Sequence, residues 1–516
     1  MSRIVKPLCG ALLGIAISAQ GVLAAEPMDK DIDALVEEIE TGLRPLVRTA
    51  GDDPVRWTLQ ERMAVHGVPG VSIAIIKDGE VLLAKGFGVK NVETGEPVDE
   101  QTVFSVGSLS KVGAATTTLK LVADGTLDLD RPVNEYLASW QVPDNEFTAD
   151  RPVTLRGLLS HTAGLTVHGF PDFLPGKTLP TVVETLKGTG PAKTPAVEPF
   201  YVPGTRWRYS GGGTTVEQLI LTDVMDKSFE AVTAKTIFGP LGMTRSTYEN
   251  PLPASHGNIA YAHNKKGKLV AKPRGWHAFP EMAASGLWTT PTDYAAMMIA
   301  LMDSYHGEEG SFLPQALAQD MMTEVGVSPF GLGPQLVGSG QHRRFHHAGA
   351  NESYRAWMEG FIDDRNGFVI FTNGEQGSRV YYEVRRAICD VMEWPCHQEI
   401  TVPNNLNKDD LKSFVGTYNM PSDMPASSLR AHGSVPVDGM KVLRQRDGGL
   451  AVKILGQYDN RTRTLIQTGP LTFLVENTPN ASTRWLAVSF QRGHDGDVNS
   501  AILTQNGSDI TLTREQ

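Results

Sequence analysis

Ser108 and Lys111 stand three residues apart in Phe104-Ser-Val-Gly-Ser-Leu-Ser-Lys111. A serine hydroxyl is a weak nucleophile until a base takes its proton. A lysine one helical turn away can take it, or can tune a third group that does, because residues three apart share a helix face. The flanking sequence supplies such a helix. Ser105 and Gly107 interrupt the strand-like run before the motif, an Ala-rich apolar pattern follows from Leu109 to Ala123, and Asp124-Gly125 ends it. The spacing predicts a helix with Ser108 in its first turn, at the positive end of the helix dipole. By itself the pair also fits a capping serine followed by a solvated lysine, so the rest of the chain has to decide.

Two more motifs have side chains suited to the same chemistry. Arg206-Trp-Arg-Tyr209-Ser-Gly-Gly-Gly213 follows Pro203-Gly204 and precedes a helix expected from about Thr214, striped by Val216, Leu219, Ile220 and Val224. That places Tyr209 on a glycine-rich turn, where a phenol can point into a cleft. Phe345-His-His347-Ala-Gly349-Ala350-Asn-Glu-Ser-Tyr354 opens a strand, and its small residues leave room for a substrate along the edge.

These motifs need elements to hold them. Ile32, Leu35, Val36, Ile39 and Leu43 recur at helical spacing. Val71 to Lys77 and Val81 to Lys85 flank Asp78-Gly79, a strong hairpin signal. Residues 127 to about 290 read as helical and loop-rich. Strands return from Arg343, with Tyr354 to Phe361 and Gly367 to Thr372, before a helix from about Tyr381 to Trp394. Strands at both ends of a helical insertion imply an α/β domain with a helical lobe, and a cleft between them suits a site. After Pro403-Asn-Asn-Leu-Asn come eight short β-type runs separated by turns such as Asp447-Gly448-Gly449 and Asp495-Gly496. They read as an antiparallel barrel or sandwich.

The 516 residues are 41% hydrophobic and 20% charged, with a net charge of −11. That is globular composition, and no basic run offers a nucleic-acid backbone a surface. Arg3 and Lys6, the apolar stretch Leu8 to Val22 and the small residues around Ala24 read as a signal peptide. The apolar stretch is too short and too interrupted for a membrane anchor, and no later segment is long and apolar enough to span a bilayer. Cleavage would remove Cys9 and leave Cys389 and Cys396, which suggest one disulfide, with two buried thiols as the alternative. His397 is the only nearby extra ligand, so zinc is disfavoured.

Taken in order, five motifs resemble the serine β-lactamase-related hydrolases of the class C and D-aminopeptidase/D-alanyl-carboxypeptidase type, over roughly Trp57 to Trp394. They are the Ser108/Lys111 motif, Leu158-Leu-Ser-His-Thr-Ala-Gly-Leu165, Pro203-Gly-Thr-Arg-Trp-Arg-Tyr209-Ser210, Ala284-Ser-Gly-Leu-Trp288 and His347-Ala-Gly349. The tail from Phe414-Val-Gly-Thr-Tyr418 resembles the lipocalin-like β-barrel that follows some members. The resemblance implies Ser108 as nucleophile, Lys111 as its lysine and Tyr209 as the tyrosine of a Tyr-x-Asn motif. It implies His347 and Gly349 as the Lys-Thr-Gly or His-x-Gly strand, and the backbone N–H groups of Ser108 and Ala350 as the oxyanion hole. It also implies an acyl-enzyme mechanism without cofactor or metal.

A base useful near neutrality needs its pKa moved by roughly three units, about 4 kcal/mol of environment. Lys111 and Tyr209 are therefore best treated as one coupled pair. Gly211 stands where the motif has its asparagine, which puts β-lactam hydrolysis in doubt and leaves peptide or ester acyl transfer open. His161 reads as a hydrogen-bonded structural histidine; His342, His346 and His347 could suggest a metal, but their strand context and the missing acidic partner disfavour one. Tyr354 and Trp357 read as packing, while Asn351 and Glu352 could contact substrate or lie in a solvated loop.

The resulting expectation is a signal peptide over 1–24, a serine hydrolase domain over 25–398, a linker over 399–405 and a barrel over 406–516. The expected protein is periplasmic or secreted, forms an acyl-enzyme with short peptides, and binds neither nucleic acid nor membrane stably; homo-oligomerisation stays open. An esterase or weak β-lactamase is the alternative in the same class, and an idle penicillin-binding protein the alternative outside it.

Overall fold

A computed structural model describes residues 32–396, 400–402, 409–420, 439–455, 462–475, 486–505 and 508–515. The expected signal segment lies outside these residues. Six strands form one antiparallel sheet: β1 (Gly70–Lys77), β2 (Glu80–Gly88), β3 (Gln335–Val337), β4 (Arg344–Asn351), β5 (Tyr354–Phe361) and β6 (Asn366–Thr372). Their order is β2-β1-β6-β5-β4-β3. The β1–β2 hairpin turns at Asp78 and Gly79, both at positive φ (53° and 83°), as its tight turn requires.

β1 is apolar on both faces because both faces are covered. Val71, Ile73 and Ile75 enter an outer core, whereas Ala74 and Ile76 enter the inner one. β5 alternates the same way: Tyr354, Ala356 and Met358 point in, Trp357 and Phe361 out. The expected packing role of Tyr354 and Trp357 therefore splits between two cores. Among the described residues, six α-helices have eight or more residues: α1 (Ile32–Thr41), α2 (Leu59–His66), α3 (Ser110–Ala123), α4 (Gly211–Met225), α5 (Pro291–His306) and α6 (Gly377–Val391). α1, α2 and α6 cover the outer face. α3, α4 and α5 belong to the inner core, which continues into the helical lobe between β2 and β3.

α6 spans Gly377–Val391 where about Tyr381 to Trp394 was expected, and two further helix boundaries, both at the candidate site, differ from the sequence reading. Ser108 sits in a tight 3₁₀ turn, Gly107–Leu109, which leads into α3 at Ser110. α4 begins at Gly211 rather than Thr214, because the Ser210 hydroxyl accepts a hydrogen bond from Gly213 N–H and caps the helix. Its glycines answer to close packing: a Cβ on Gly212 would lie 2.7 Å from the Thr166 carbonyl oxygen. Cys389 in α6 and Cys396 just beyond it stand at disulfide distance, with Cα atoms 5.8 Å apart.

Residues 400–402, within the expected linker, form a strand that pairs in parallel with Val47–Thr49. Beyond them, eight antiparallel strands from Gly416–Asn419 to Ser508–Arg514 close into a barrel, sealed where Tyr418 pairs with Arg514. Phe414, which opens the barrel-like tail motif in the sequence, ends a short 3₁₀ helix, and its ring stacks 4.6 Å from that of Phe490 in the barrel's own core. Among the described residues no helix is long and apolar enough to cross a membrane.

Candidate active site

The turn carrying Ser108 is gripped from all sides. Ser110 Oγ donates to the Gly107 carbonyl and accepts from Leu287 N–H; the hydroxyls of Tyr248 and Tyr294 donate to the carbonyls of Ser110 and Leu109. β4 presses directly on this turn. A Cβ on Gly349 would lie 1.9 Å from the Val106 carbonyl oxygen, and one on Gly107, at φ 53°, would lie 2.6 Å from Ala350 N. The sequence reading reserved the small side chains of β4 for substrate. At Gly349 the space is filled by the turn that carries Ser108, with Val106 against Gly349 and Gly107 against Ala350. Asn351 locks the approach: its amide donates to Ser105 Oγ and to the Ser285 carbonyl, each at 2.8 Å.

Lys111 points back along its helix. Its Nζ donates to the Ala284 carbonyl at 2.7 Å and reaches Ser108 Oγ at 3.3 Å. It lies 4.9 Å from the centre of the Tyr209 ring. His161 holds Tyr209 by its flanks: its carbonyl accepts from Arg208 N–H and its Nδ1 from Ser210 N–H. This is the structural role expected of His161, in a strained left-handed conformation (φ 60°). Its ring centre is 4.3 Å from that of Tyr209, and Phe330, His168 and His347 complete the wall. His347 Nδ1 donates to the Ala348 carbonyl at 2.7 Å, which leaves Nε2 as the acceptor of a neutral ring. His346 turns to the other face and stacks on Trp357. Among the described residues no group of three or more His, Cys, Asp or Glu is placed to hold a metal.

Burial governs the charges. Loss of solvent pushes Lys111 down to about 7, with the Glu217 carboxyl pulling the other way. Burial pushes the Tyr209 phenol well up, and nearby Ser108 offsets only part of the rise. The phenol oxygen has no hydrogen bond of good geometry among the described residues. Burial, then Lys111, pushes His347 down to about 3 and His168 to about 4, and holds His161 well below the ordinary histidine range. The arrangement therefore offers a hydroxyl, a largely desolvated amine 3.3 Å away, a neutral phenol and a neutral imidazole around one point.

The Beta-lactamase family profile matches residues 55–391. The chain belongs to that family. It is 26% identical over 243 residues to Protein flp of Staphylococcus aureus (strain MRSA252), covering 46% of this chain and 44% of the relative. It is 29% identical over 231 residues to a Beta-lactamase of Lysobacter lactamgenus, covering 45% and 56%. The chain thus spans about half the length of the curated relatives it matches. Among solved structures, the octameric penicillin-binding protein homologue from Pyrococcus abyssi superposes with TM-score 0.55 at 22% identity, over 88% of this chain and 98% of that one. SurE with D-Leu gives 0.53 at 21%, over 89% and 97%. These two establish the fold, shared by a family of serine hydrolases.

Within this family framework, Gly211 has a packing reason. A Cβ there would lie 3.1 Å from the His168 carbonyl oxygen and 3.2 Å from the Phe170 ring, so the loop 168–170 occupies the room an asparagine side chain needs. The sequence reading passed over two residues nearly two turns further along α4. Gln218 accepts from Ala283 N–H and donates to the Pro280 carbonyl, fixing the segment that presents the Ala284 carbonyl to Lys111. Glu217 is 1% exposed. A signal existed: Glu217 shares spacing with Ile220, Leu221 and Val224, so the helical period puts a carboxyl on the apolar face.

Proposed function

We propose that this chain is an exported serine hydrolase that cleaves peptide or amide bonds of short peptides through an acyl-enzyme on Ser108. The carrying observation is the desolvated Lys111 amine 3.3 Å from Ser108 Oγ, at about 7 a base matched to neutral pH. Ser108 Oγ attacks the substrate carbonyl carbon while its proton passes to Lys111 Nζ. The N–H groups of Ser108 and Ala350 hold the oxyanion. Collapse breaks the C–N bond, and the leaving amine takes a proton relayed from Lys111 through the Tyr209 hydroxyl. Water then repeats the sequence against the ester. Because burial raises Tyr209 and lowers Lys111, the amine serves as proton acceptor and the phenol as a neutral relay.

The substrate class follows from His347 and Gly211. A neutral imidazole with an accepting Nε2 offers no positive charge to a substrate carboxylate. It suits a donor such as a peptide N–H. With no amide at Gly211, both features favour uncharged amide or ester groups over β-lactams at this edge. The barrel holds none of the residues matched to the chemistry, and we assign it a part in substrate access or assembly.

The test is fluorophosphonate labelling read by intact mass, with Ser108→Ala as blank, followed by a panel of short L- and D-peptide amides, an activated ester and a chromogenic cephalosporin. Labelling at Ser108 with turnover greatest on peptides supports the reading. Turnover confined to esters reassigns it as an esterase, and no labelling makes the protein an idle binder.

A further inference from the structure

The loop that fills the space beside Gly211 is fastened more firmly than a surface connection needs. α4 opens with three glycines, Gly211, Gly212 and Gly213. The first N–H groups of a helix have no partner inside it. Here the loop supplies partners: Gly211 N–H donates to the His168 carbonyl and Gly212 N–H to the Val167 carbonyl, each at 3.0 Å. Ser210 Oγ, the cap, donates to the Thr166 carbonyl at 2.8 Å. Val167 is held at φ 65°, a left-handed conformation that strains a β-branched residue. This end of the loop is thereby stitched to the turn that carries Tyr209, and the His168 ring centre stands 5.1 Å from that of Tyr209.

The far end is fastened independently. Phe173 and Ala278 exchange both backbone hydrogen bonds, at 3.0 and 2.9 Å. Asp172 Oδ2 lies 3.1 Å from Nε2 of the buried His277. Lys193 Nζ donates to the Asp172 carbonyl and stands 4.1 Å from the centre of the Phe173 ring. Phe170 lies between these two anchors. Its ring edge comes 3.2 Å from the place of a Cβ on Gly211, two residues beyond Tyr209. The residue is only half-buried. Among the described residues it joins none of the three hydrophobic clusters, either as a member or as a partly buried neighbour. An aromatic ring outside every core, held from both sides at the wall of the cleft, is preorganised for something that enters the cleft.

We propose that Phe170 is a specificity-determining residue: the uncovered part of its ring receives an apolar side chain of the substrate, beside the scissile carbonyl. The proposal deepens the function assigned above and rests on Ser108 as nucleophile. Gly211 admits the ring, because a side chain there would collide with it. The wall thus offers an apolar contact where the motif's asparagine would offer a polar one. An aromatic or large aliphatic side chain on the residue that supplies the carbonyl is favoured over glycine, since it takes the ring and itself out of water.

The experiment compares two fluorophosphonates, one with a methyl and one with a benzyl group on phosphorus. Ser108 Oγ displaces fluoride from both, and the group on phosphorus stands where a substrate carbonyl carries its own substituent. Labelling rates are followed by intact mass and read as the ratio of benzyl to methyl. Phe170→Ala should lower this ratio about tenfold. Phe170→Leu keeps an apolar wall and should retain most of it. Phe170→Gln fills the gap beside Gly211 with a polar side chain; it should lower the ratio as Phe170→Ala does, and it carries the test if that variant does not fold. A ratio equal to wild type in whichever of the two folds overturns the proposal, even if both rates fall, because a ring that only braces α4 would slow both probes alike. A wild type labelled by neither probe would overturn the assignment of Ser108 together with this proposal, whereas an unchanged ratio overturns this proposal alone.

Discussion

The two faces of the central sheet solve the same problem in opposite ways. Each buries ionisable groups. On the outer face Glu359, wholly buried, receives two hydrogen bonds from Arg385 at 2.6 and 2.9 Å and lies 3.2 Å from Arg344. Burial pushes its carboxyl up, but the two arginines outweigh burial and hold it below the ordinary value. On the inner face Lys111 has no carboxylate in contact, and burial wins. Paired charge gives a group locked in one protonation state, which suits a scaffold. Unpaired burial gives a group poised between two states, which suits proton transfer. Under the proposed function, the difference places reactivity in the cluster whose charges are least compensated.

The comparison predicts separable defects. The largest belongs to Ser108→Ala, which should abolish turnover and the labelled mass adduct while thermal melting stays cooperative. An adduct persisting in that variant would remove the nucleophile assignment and the chemistry built on it.

Next come Lys111 and Tyr209. Lys111→Ala and Tyr209→Phe should each slow acylation by at least ~10², with a double mutant well short of additive because the groups act on one proton. Lys111→Met sharpens the contrast between faces. The folded protein holds this amine at about 7, below its ordinary value near ~10.4, so folding expels a proton between those values and wild-type stability rises with pH across that window. Lys111→Met should erase this rise in urea unfolding measured from pH 7 to 10 and leave the inactive protein more stable at pH 7. A variant less stable than wild type would mean that the lysine is held by favourable contacts rather than strained by burial.

The outer face should answer in the reverse sense. Glu359→Gln strands two buried arginines and should cost roughly 3–5 kcal/mol in urea unfolding. The pH midpoint of Ser108 labelling in the folded fraction should not move. A shifted midpoint would show that the sheet transmits charge between its faces.

Much of this site was legible before any coordinates. Ser108, Lys111, Tyr209, His347 and Gly349 announce themselves because their chemistry fixes local spacing, and all of them converge around the α3 turn. The hairpin, the sheet strands other than Gln335–Val337 and all eight barrel strands follow from short-range alternation and turns. Effects that depend on what arrives from elsewhere in the chain were not legible. Gly211 reads as a missing amide until Phe170 is seen in its place. The glycines after Ser210 read as a turn until their neighbours show why a helix needs them. The proposal that Lys111 rather than Tyr209 takes the proton rests on burial, which one sequence does not state.

The smallest effect on chemistry should come from Cys389 and Cys396, and it probes the comparison at its one covalent staple. The pair stands at disulfide distance across the end of α6, with Cys389 in the outer core and both residues buried. A bridge over so short a loop is worth about 2–3 kcal/mol, so Cys396→Ser should lower the melting temperature by several degrees. Alkylation mass spectrometry of native protein should find neither thiol free. The turn it closes also matters to β4. The Pro395 carbonyl accepts from Arg344 Nη1 at 3.2 Å, and Arg344 opens the strand that carries His347, Gly349 and Ala350. If the outer face is only scaffold, strand pairing and Asn351 hold β4 without that turn, and Cys396→Ser keeps its labelling rate at temperatures below its melting point. If labelling slows in step with reduction while the fold is intact, the grip on Arg344 reaches the oxyanion end of β4, and the division between a locked face and a poised face gives way to one continuous strand.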